Sequence, residues 1–338
     1  MTRVNRQVVL ATPLDGVPTA ANFALADAPL PVPGEGQVLV RHIYLSLDPY
    51  QRPAMAGRHV TSTRPLGIGE VPIGETVGQV VESRHPGFAP GDYVRHPGGW
   101  QAWSVADGTA VNRVDPAVAP LSAWLGVLGM PGLTAWASAV QLAQVAPGQV
   151  VLVSAAAGPV GSLVGQIARQ RGASAVGIAG SDAKCALVTR EFGFRACVNY
   201  KGADFPARLK AAVPEGADVY HDNVGGQMLM TALGVLKNYG TVVMCGLMAQ
   251  YNDPSAASIN LGVAIMKRAV MRGLVVFDFE DRRQEFVDQV APWIRSGAIR
   301  YQEDRAEGLA QTPAHFARLM RGENVGKSLV VVGPETSG

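Results

Sequence analysis

The segment SAAAGPVGSLVGQ, residues 154–166, has the residue types of a phosphate-binding loop. It follows an apolar run typical of a buried parallel strand and precedes a helical pattern, so the positive end of a helix would face an anion bound there. Gly158 would let the backbone approach a pyrophosphate, and Gly161 would let the helix pack closely on the strand. The spacing is A-x-x-G-x-x-G, with Ala156 in place of the usual first glycine. A tightly packed turn without a ligand is therefore the alternative.

The end of the next candidate strand, in GIAGSDAK, indicates which dinucleotide the loop would hold. An NAD site usually has Asp or Glu there, about 20 residues past the glycines, to bind the ribose 2′-hydroxyl. Here Gly180 and Ser181 stand at the tip, and Asp182 belongs to the first turn of the next helix. Small residues leave room for a 2′-phosphate, and Lys184 is positioned to meet it as a point charge. The segment predicts NADP(H), with a solvated helix lysine as the alternative.

The elements that must position these segments alternate between strand and helix patterns from about residue 125. The helix after the loop has an apolar face made of Val160, Leu163, Val164, Ile167 and Ala168. Alternating strands and helices predict βαβ units and an α/β fold with a doubly wound parallel sheet. Six candidate strands suit that sheet: QVVLVSA, SAVGIAG, ACVNY, ADVYHDN, GTVVMCG and RGLVVFDF.

The first part of the chain differs, because it is rich in glycine and proline and contains short alternating runs such as QVLVRHIYLSL and TVGQVVES. This pattern predicts an irregular, mostly β domain. The C-terminal segment GKSLVVV is strand-like again and could add to that domain. The sequence therefore predicts a β-rich domain over residues 1–124, completed by residues 300–338, and a dinucleotide-binding domain over residues 125–299.

The composition favours a well-buried globular protein, because 48% of the 338 residues are hydrophobic and only 17% are charged. The net charge is +2 and the basic residues are scattered, which argues against a nucleic-acid partner. Cys185, Cys197 and Cys245 stand far apart without a C-x-x-C motif, as suits a reducing compartment. No signal peptide and no apolar run of about 18 residues is present. We expect a cytoplasmic protein without a membrane partner.

Metal and nucleophile chemistry has little support in the sequence. The histidines are His42, His59, His85, His96, His221 and His315. None forms an H-x-x-x-H pair or stands near a cysteine, so we expect no metal. No G-x-S-x-G motif is present. Cys245 lies in an apolar strand pattern and is expected to be a packed thiol rather than a nucleophile.

Eight segments in order along almost the whole chain carry a resemblance to a known family. They are LSLDPYQR, GMPGLTAW, SAAAGPVGSLVGQIARQRG, GIAGSDAK, VNYK, HDNVGG, CGLMAQYN and GENVGK. They resemble the medium-chain dehydrogenase/reductase superfamily, and within it the zinc-independent prostaglandin reductase (leukotriene B4 dehydrogenase) branch of NADPH-dependent alkenal/one oxidoreductases. Zinc-dependent relatives have a G-H-E motif, whereas PIGE puts Gly74 before Glu75, which fits loss of the metal.

The resemblance implies a GroES-like β-rich catalytic domain, a Rossmann domain and a cleft between them. The residues that it assigns to NADP(H) are Thr134, Gly158, Pro159, Val160, Ser181, Lys184, Tyr200, Asn223, Cys245, Gly246, Tyr251, Phe277 and Asn324. Among these, Ser181, Lys184 and Tyr200 would hold the 2′-phosphate. Tyr50 and Arg52 would lie on the substrate side, although packing within the surrounding proline turns is the alternative for Tyr50.

The reaction that the resemblance implies is hydride transfer from NADPH to the β-carbon of an α,β-unsaturated ketone or aldehyde. The resulting negative charge on the carbonyl oxygen needs stabilisation without a metal. Tyr251 is the main catalytic candidate, with Tyr50 second, because a phenol with a pKa near 10 stays protonated at neutral pH and donates a hydrogen bond. The alternatives are a quinone reductase of the same superfamily and an NADPH-binding protein without catalysis.

The candidate strand RGLVVFDF predicts an association between two copies of the chain. It is apolar and expected at the edge of the parallel sheet, and an uncovered edge strand tends to pair with another chain. Together with the habit of the family, this predicts a homodimer formed by strand pairing.

Overall fold

The computed structural model describes residues 4–252, 260 and 262–335. The chain divides into two compact units, one made of Met1–Gly126 with Glu303–Gly338 and the other of Val127–Gln302. No helix in the described part of the chain has the length and apolar character of a membrane span.

The strands and helices are numbered in chain order. The strands are β1 (Val4–Leu10), β2 (Phe23–Pro29), β3 (Gln37–Ser46), β4 (Thr76–Ser83), β5 (Tyr93–His96), β6 (Trp103–Asp107), β7 (Asn112–Arg113), β8 (Val150–Val153), β9 (Ser174–Ala179), β10 (Ala196–Asn199), β11 (Ala217–Asp222), β12 (Leu236–Met244), β13 (Val270–Gly273), β14 (Glu303–Glu307) and β15 (Lys327–Val331). The helices are α1 (Gln51–Met55), α2 (Met130–Trp136), α3 (Pro159–Gln170), α4 (Asp182–Arg190), α5 (Phe205–Ala212), α6 (Gly226–Val235), α7 (Gly262–Lys267), α8 (Arg283–Arg295) and α9 (Thr312–Met320).

The second unit is built on a six-stranded parallel sheet with the strand order β10-β9-β8-β11-β12-β13. Counted from the first strand of the unit, this is 3-2-1-4-5-6, the order of the Rossmann fold. The order reverses between β8 and β11, and ligands of such sheets bind outside the carboxyl ends of the strands at that point. The α/β fold class with a doubly wound sheet is confirmed.

The sixth strand differs from the prediction. Only Arg272 and Gly273 of the predicted run RGLVVFDF belong to β13. The N–H of Leu274 still donates to the carbonyl of Met244, at 2.9 Å, but β12 ends at that residue. The chain therefore loses its hydrogen-bonding neighbour and continues as the 3₁₀ helix Val276–Arg282.

The first unit carries a seven-stranded sheet, in which the path β14-β15-β3-β4-β5-β7 is joined by β6 on the edge of β3. Strand β15 pairs antiparallel with β3 and parallel with β14, so the C-terminal segment lies inside the sheet of the N-terminal part of the chain. The β-rich character of this unit is also confirmed. A buried apolar cluster that includes Leu45, Leu47, Trp100 and Phe316 packs beneath it.

Three fully buried histidines make the stability of both units depend on pH. Burial lowers the pKa of His42 to about 4, of His96 to about 3 and of His221 to about 4. An unfolded chain protonates these rings below about pH 6.5, whereas the folded chain keeps them neutral. The unfolded state therefore binds more protons between pH 6.5 and 4, and stability must fall as the pH is lowered through that range.

We expect the free energy of unfolding to drop by about 2–3 kcal/mol for each of these histidines between pH 6.5 and 4. Urea midpoints measured at intervals of half a pH unit check this result. A His96→Gln variant should show a shallower pH dependence than the wild type. A midpoint that stays constant from pH 6.5 to 4.5 would contradict the prediction.

Candidate functional site

The predicted phosphate-binding loop joins β8 to α3, with Gly158 as the N-cap of the helix. The loop turns through Ala155, whose φ of 50° is left-handed, and the Gly158 N–H donates to the Ala155 carbonyl at 2.9 Å. A Cβ on Gly161 would lie 2.5 Å from that same carbonyl oxygen, so the turn requires glycine there. Ala156, which stands in the place of the usual first glycine, packs against Gly177 of β9, where a Cβ would come within 2.8 Å of it. Gly177 on the neighbouring strand thus leaves room for the side chain that Ala156 has in place of the usual glycine.

The first turn of α3 has the donors that a pyrophosphate needs. Pro159 occupies the first helical position and has no N–H, and the first bond within the helix runs from the Ser162 N–H to the Gly158 carbonyl, at 3.0 Å. The N–H groups of Val160 and Gly161 therefore have no acceptor within the helix, as in any first turn. They combine with the positive end of the helix dipole to suit a bound phosphate.

The residues predicted to read the 2′-phosphate lie together around Gly180, at the carboxyl ends of β9 and β10. Ser181 caps α4, and its hydroxyl accepts from the backbone N–H of Lys184 at 3.2 Å. The ring of Tyr200 lies against Gly180, where a Cβ would be 3.2 Å from Cε1. Tyr200 is held there because its N–H donates to the Ala179 carbonyl at 3.1 Å.

Asp182 does not occupy the position of the acidic residue that binds the ribose 2′-hydroxyl in an NAD site. It stands in the first turn of α4, and its carboxylate accepts from the side-chain amide of Asn199 at 3.0 Å. The tip of β9 therefore carries only Gly180 and Ser181. This arrangement fits a cofactor with a 2′-phosphate better than one with a free 2′-hydroxyl.

A second group of predicted residues lies at the carboxyl ends of β11 and β12. The N–H groups of Cys245 and Gly246 both donate to the Asp222 carbonyl, at 2.8 and 3.1 Å. A Cβ on Gly246 would lie 2.9 Å from the Asn223 carbonyl oxygen and 3.3 Å from the Tyr251 hydroxyl. Asn223, Cys245, Gly246 and Tyr251 are thus brought together at the sheet edge where cofactors of this fold bind.

Tyr251 has the protonation state and the geometry of a hydrogen-bond donor. Its phenol oxygen accepts from the backbone N–H of Leu247 at 3.3 Å, which leaves the hydroxyl hydrogen for another acceptor. Burial raises the pKa of Tyr251 above its usual value near 10. The phenol is therefore protonated at neutral pH and can stabilise a developing oxyanion.

Sequence reasoning missed the buried carboxylate that organises this edge. Asp222 is fully buried and accepts from the hydroxyls of Ser154, at 3.2 Å, and Tyr220, at 2.8 Å, and from the N–H groups of Val224 and Gly225, at 2.9 and 3.1 Å. It thereby ties the phosphate-binding loop to the start of α6. Its position at the end of a predicted strand was the available signal, but its hydrogen bond with Ser154 joins residues that are 68 apart in the sequence.

A series of hydrogen-bonded polar side chains holds Asn223 in place. The Asn223 side-chain amide donates to the Ser154 carbonyl at 2.8 Å, so its oxygen faces Nε2 of His221 at 3.1 Å. Nε2 must then carry the proton of the neutral ring, and Nδ1 accepts from the Ser138 hydroxyl at 2.6 Å. Ser138 lies one turn after Thr134, in the π-helical segment Ala137–Leu142.

The remaining predicted residues of the second unit have separate surroundings. Thr134 is buried in α2, and its hydroxyl donates to the Met130 carbonyl at 2.8 Å. Phe277 is exposed in the 3₁₀ helix that follows β13. Desolvation raises the pKa of Cys245 to about 12, so this thiol is protonated and suits packing rather than attack.

The predicted residues of the first unit lie near α1 and β15. Tyr50 directly precedes α1, and its ring stacks on His59 with centroids 4.8 Å apart. Arg52 is buried, and its guanidinium donates to the carbonyls of Leu14, at 3.3 Å, and Gly16, at 3.1 Å. Arg52 therefore holds the N-terminal segment in place. The side-chain amide of Asn324 donates to the Gly326 carbonyl at 2.9 Å.

A buried ion pair that the sequence did not suggest fixes the backbone beside Tyr50. The ammonium of Lys327 lies 2.6 Å from the Asp48 carboxylate and donates to the Leu47 carbonyl at 2.9 Å. It joins the GENVGK segment to the LSLDPYQR segment. Burial, with the negative charges of Asp48 and Glu75, raises the pKa of Tyr50 well above 10, so this phenol is also protonated.

A metal centre is not visible in the described ranges, 4–252, 260 and 262–335. No three His, Cys, Asp or Glu side chains lie close enough together there to hold an ion. Glu75, which follows Gly74 in the PIGE segment, forms an ion pair with Arg95 at 2.5 Å.

Comparison with known proteins gives matches along almost the whole chain. Residues 6–114 match a family described as the N-terminal domain of oxidoreductase, and residues 159–293 match one described as zinc-binding dehydrogenase. The chain is 37% identical over 335 residues to the NADPH-dependent curcumin reductase of Escherichia coli, with 97% of each chain covered. It is 38% identical over 340 residues to the 2-alkenal reductase (NADP(+)-dependent) of Nicotiana tabacum, with 98% of each covered. The crystal structure of CurA from Vibrio vulnificus in complex with NADPH matches with a TM-score of 0.91 at 37% identity, covering 97% of this chain and 99% of that chain.

Proposed function

Because the chain belongs to the zinc-independent prostaglandin reductase branch of the medium-chain dehydrogenase/reductase superfamily, we propose that its NADP(H) site and Tyr251 act together on α,β-unsaturated ketones and aldehydes. The protein is an NADPH-dependent oxidoreductase that reduces the C=C bond of such substrates. The relatives described above are named for curcumin and for 2-alkenals, and neither is named for a quinone.

The cofactor site that we propose follows the carboxyl edge of the parallel sheet. Bound NADPH would supply the hydride. The N–H groups of the first turn of α3 would bind the pyrophosphate, and Ser181, Lys184 and Tyr200 would bind the 2′-phosphate. The residues proposed to line the rest of the cofactor are Thr134, Gly158, Pro159, Asn223, Cys245, Gly246, Phe277 and Asn324.

Tyr251 is proposed to stabilise the oxyanion. The observation that carries this role is the hydrogen bond from the Leu247 N–H to the phenol oxygen, because it orients the phenol and leaves its hydrogen for the substrate oxygen. A protonated phenol at this point can donate to the enolate that forms when the β-carbon accepts the hydride. Tyr50, whose phenol is also protonated, is proposed to line the substrate side together with Arg52, whose guanidinium donates to the carbonyls of Leu14 and Gly16.

The experiment that tests this function follows the loss of NADPH with a panel of enones, 2-alkenals and quinones, and identifies each product. We expect enones and alkenals to oxidise NADPH and to give saturated carbonyl compounds. Oxidation by quinones alone would favour the quinone reductase alternative. Tight NADPH binding without oxidation by any compound would favour a binding protein, and either result would overturn the proposal.

We also propose that the enzyme is a homodimer joined along β13. In the described part of the sheet this strand pairs only with β12, so its other edge is open. Val270 on the strand and Ile265 on the neighbouring helix α7 are exposed apolar side chains. An open apolar edge of this kind favours pairing with a second copy.

Light scattering at micromolar concentration is expected to give twice the mass of one chain. A Val270→Lys variant should shift the protein towards the monomer, because charged side chains blunt an edge strand. A monomeric wild type would contradict the proposal.

A cytoplasmic location is proposed from the thiols. Cys185, Cys197 and Cys245 are free thiols, and none of them forms a disulfide bond. Free thiols persist where the compartment is reducing. Cell fractionation tests this location, and an enzyme recovered outside the cytoplasm would contradict it.

A further inference from the structure

A short turn in the first unit holds His59 against the ring of Tyr50. The ring centroids are 4.8 Å apart and the planes meet at 32°. His59 and Ser62 exchange backbone hydrogen bonds of 3.3 and 2.9 Å, which close the turn at its neck. Gly57, with a φ of 67°, brings the chain so close to Pro65 that a Cβ would meet the proline nitrogen at 2.6 Å. The backbone under His59 is therefore tightly constrained.

The imidazole of His59 is oriented as well as placed. The backbone N–H of Thr61 donates to Nδ1 at 3.2 Å, and the Thr61 hydroxyl lies 2.8 Å from the same nitrogen. Because Nδ1 accepts, the neutral ring carries its proton on Nε2. Burial lowers the pKa of His59 below its usual 6.5, so the ring is uncharged at neutral pH. It offers a flat π-surface with a single N–H on the outer edge.

Tyr50 is fixed independently of this turn. It directly precedes α1 and lies two residues after Asp48, which the buried ammonium of Lys327 holds at 2.6 Å. Both side chains are half-buried, so part of each remains open to solvent. Because separate elements hold the two aromatic rings, the rings lose little conformational freedom when a ligand stacks on them.

The turn and α1 also enclose space for an apolar group. A cavity of about 270 Å³ is lined by Ala54 and Met55 of α1, by Ser62 of the turn, and by Arg64, Leu66, Glu70, Val71 and Ile73, which follow the turn. The only charged groups in this lining, Arg64 and Glu70, pair with each other at 2.9 Å. The remaining walls are mostly apolar, as in sites for apolar ligands.

We propose that His59 is a specificity-determining residue, and that its ring and that of Tyr50 form an aromatic surface on which the aryl group of a conjugated enone stacks. This inference rests on the proposed function, which puts Tyr50 on the substrate side. Stacked aromatic pairs favour binding beyond the area that they bury, by an amount that corresponds to about a two- to tenfold change in affinity. The substrates favoured are therefore aryl enones rather than small aliphatic ones.

The test compares benzalacetone with 3-penten-2-one, which has the same enone but a methyl group in place of the phenyl ring. For His59→Ala we expect the KM for benzalacetone to rise about five- to tenfold, while the KM for 3-penten-2-one and the KM for NADPH change less than twofold. His59→Phe keeps a flat ring without the N–H and should restore the KM for benzalacetone.

A matched control is His85→Ala in the same unit. The His85 ring also stacks on an aromatic ring, that of Phe88 at 5.5 Å, and its Nδ1 also accepts from the N–H two residues later, at Gly87, at 3.0 Å. It should leave both KM values unchanged. Equal KM changes for both enones in His59→Ala, no change for either, or no recovery in His59→Phe would overturn the inference. If the wild type reduces neither enone, the proposed function itself fails, which is a separate result.

Discussion

Tyr251→Phe is expected to lower kcat for enone reduction by about 100- to 1000-fold, which is the usual effect of removing one donor to an oxyanion. The substitution removes the only hydrogen that the phenol can give to the substrate oxygen, while the ring keeps its place. The affinity for NADPH should change less than twofold, because the donors to the phosphates lie on α3 and α4. Turnover measured at saturating enone and a fluorescence titration with NADPH check both parts.

Tyr239→Phe is the control for this substitution. Tyr239 is 72% exposed and its ring lies over the guanidinium of Arg268, so its hydroxyl is remote from the sheet edge described above. The kcat of Tyr239→Phe for enone reduction should equal that of the wild type. If the kcat of Tyr251→Phe also equalled that of the wild type, Tyr251 would have no part in the chemistry.

Lys184→Ala is expected to lower kcat/KM for NADPH by about 10- to 100-fold, since hydrogen bonds to charged groups are worth about 1.5–3 kcal/mol. The value for NADH should stay the same, because NADH has no 2′-phosphate for an ammonium to bind. Initial rates with each cofactor at a fixed enone concentration measure the two values.

Lys210→Ala is the matched control, because Lys210 is an exposed lysine on α5. It should change neither value. Equal losses with NADPH and NADH in Lys184→Ala would mean that this lysine does not distinguish the two cofactors.

Much of the dinucleotide-binding unit could be predicted because its signals are local. The apolar period of α3 and the apolar run before it identify a strand, a loop and a helix without knowledge of the rest of the chain. Ser181 was assigned to the strand tip from its position about 20 residues past the glycines of the loop. The structure has it there as the N-cap of α4. The doubly wound parallel sheet was predicted from the alternation of strands and helices, whereas the order of its six strands came from the structure.

The features that sequence reasoning missed depend on pairs that are distant in the chain. Gly177 compensates for Ala156 only because β8 and β9 lie side by side. Lys327 reaches Asp48 across a separation of 279 residues. The sixth strand was predicted too long, because apolar composition does not reveal that its neighbour ends at Met244.

The site residues divide in the same way. Ser181 and Lys184 were assigned from one short segment and Tyr200 from the family resemblance, whereas the support of Asn223 by His221 needs the fold. The role of His59 was also invisible, because stacking on Tyr50 depends on how the turn closes.

The most direct test of the whole account uses NADPH carrying deuterium at both hydrogen positions of the nicotinamide C4, with benzalacetone as substrate, and locates the label in the product by NMR. The account predicts a saturated ketone with deuterium on the β-carbon. Deuterium on a carbinol carbon, in an allylic alcohol that keeps its double bond, would contradict it.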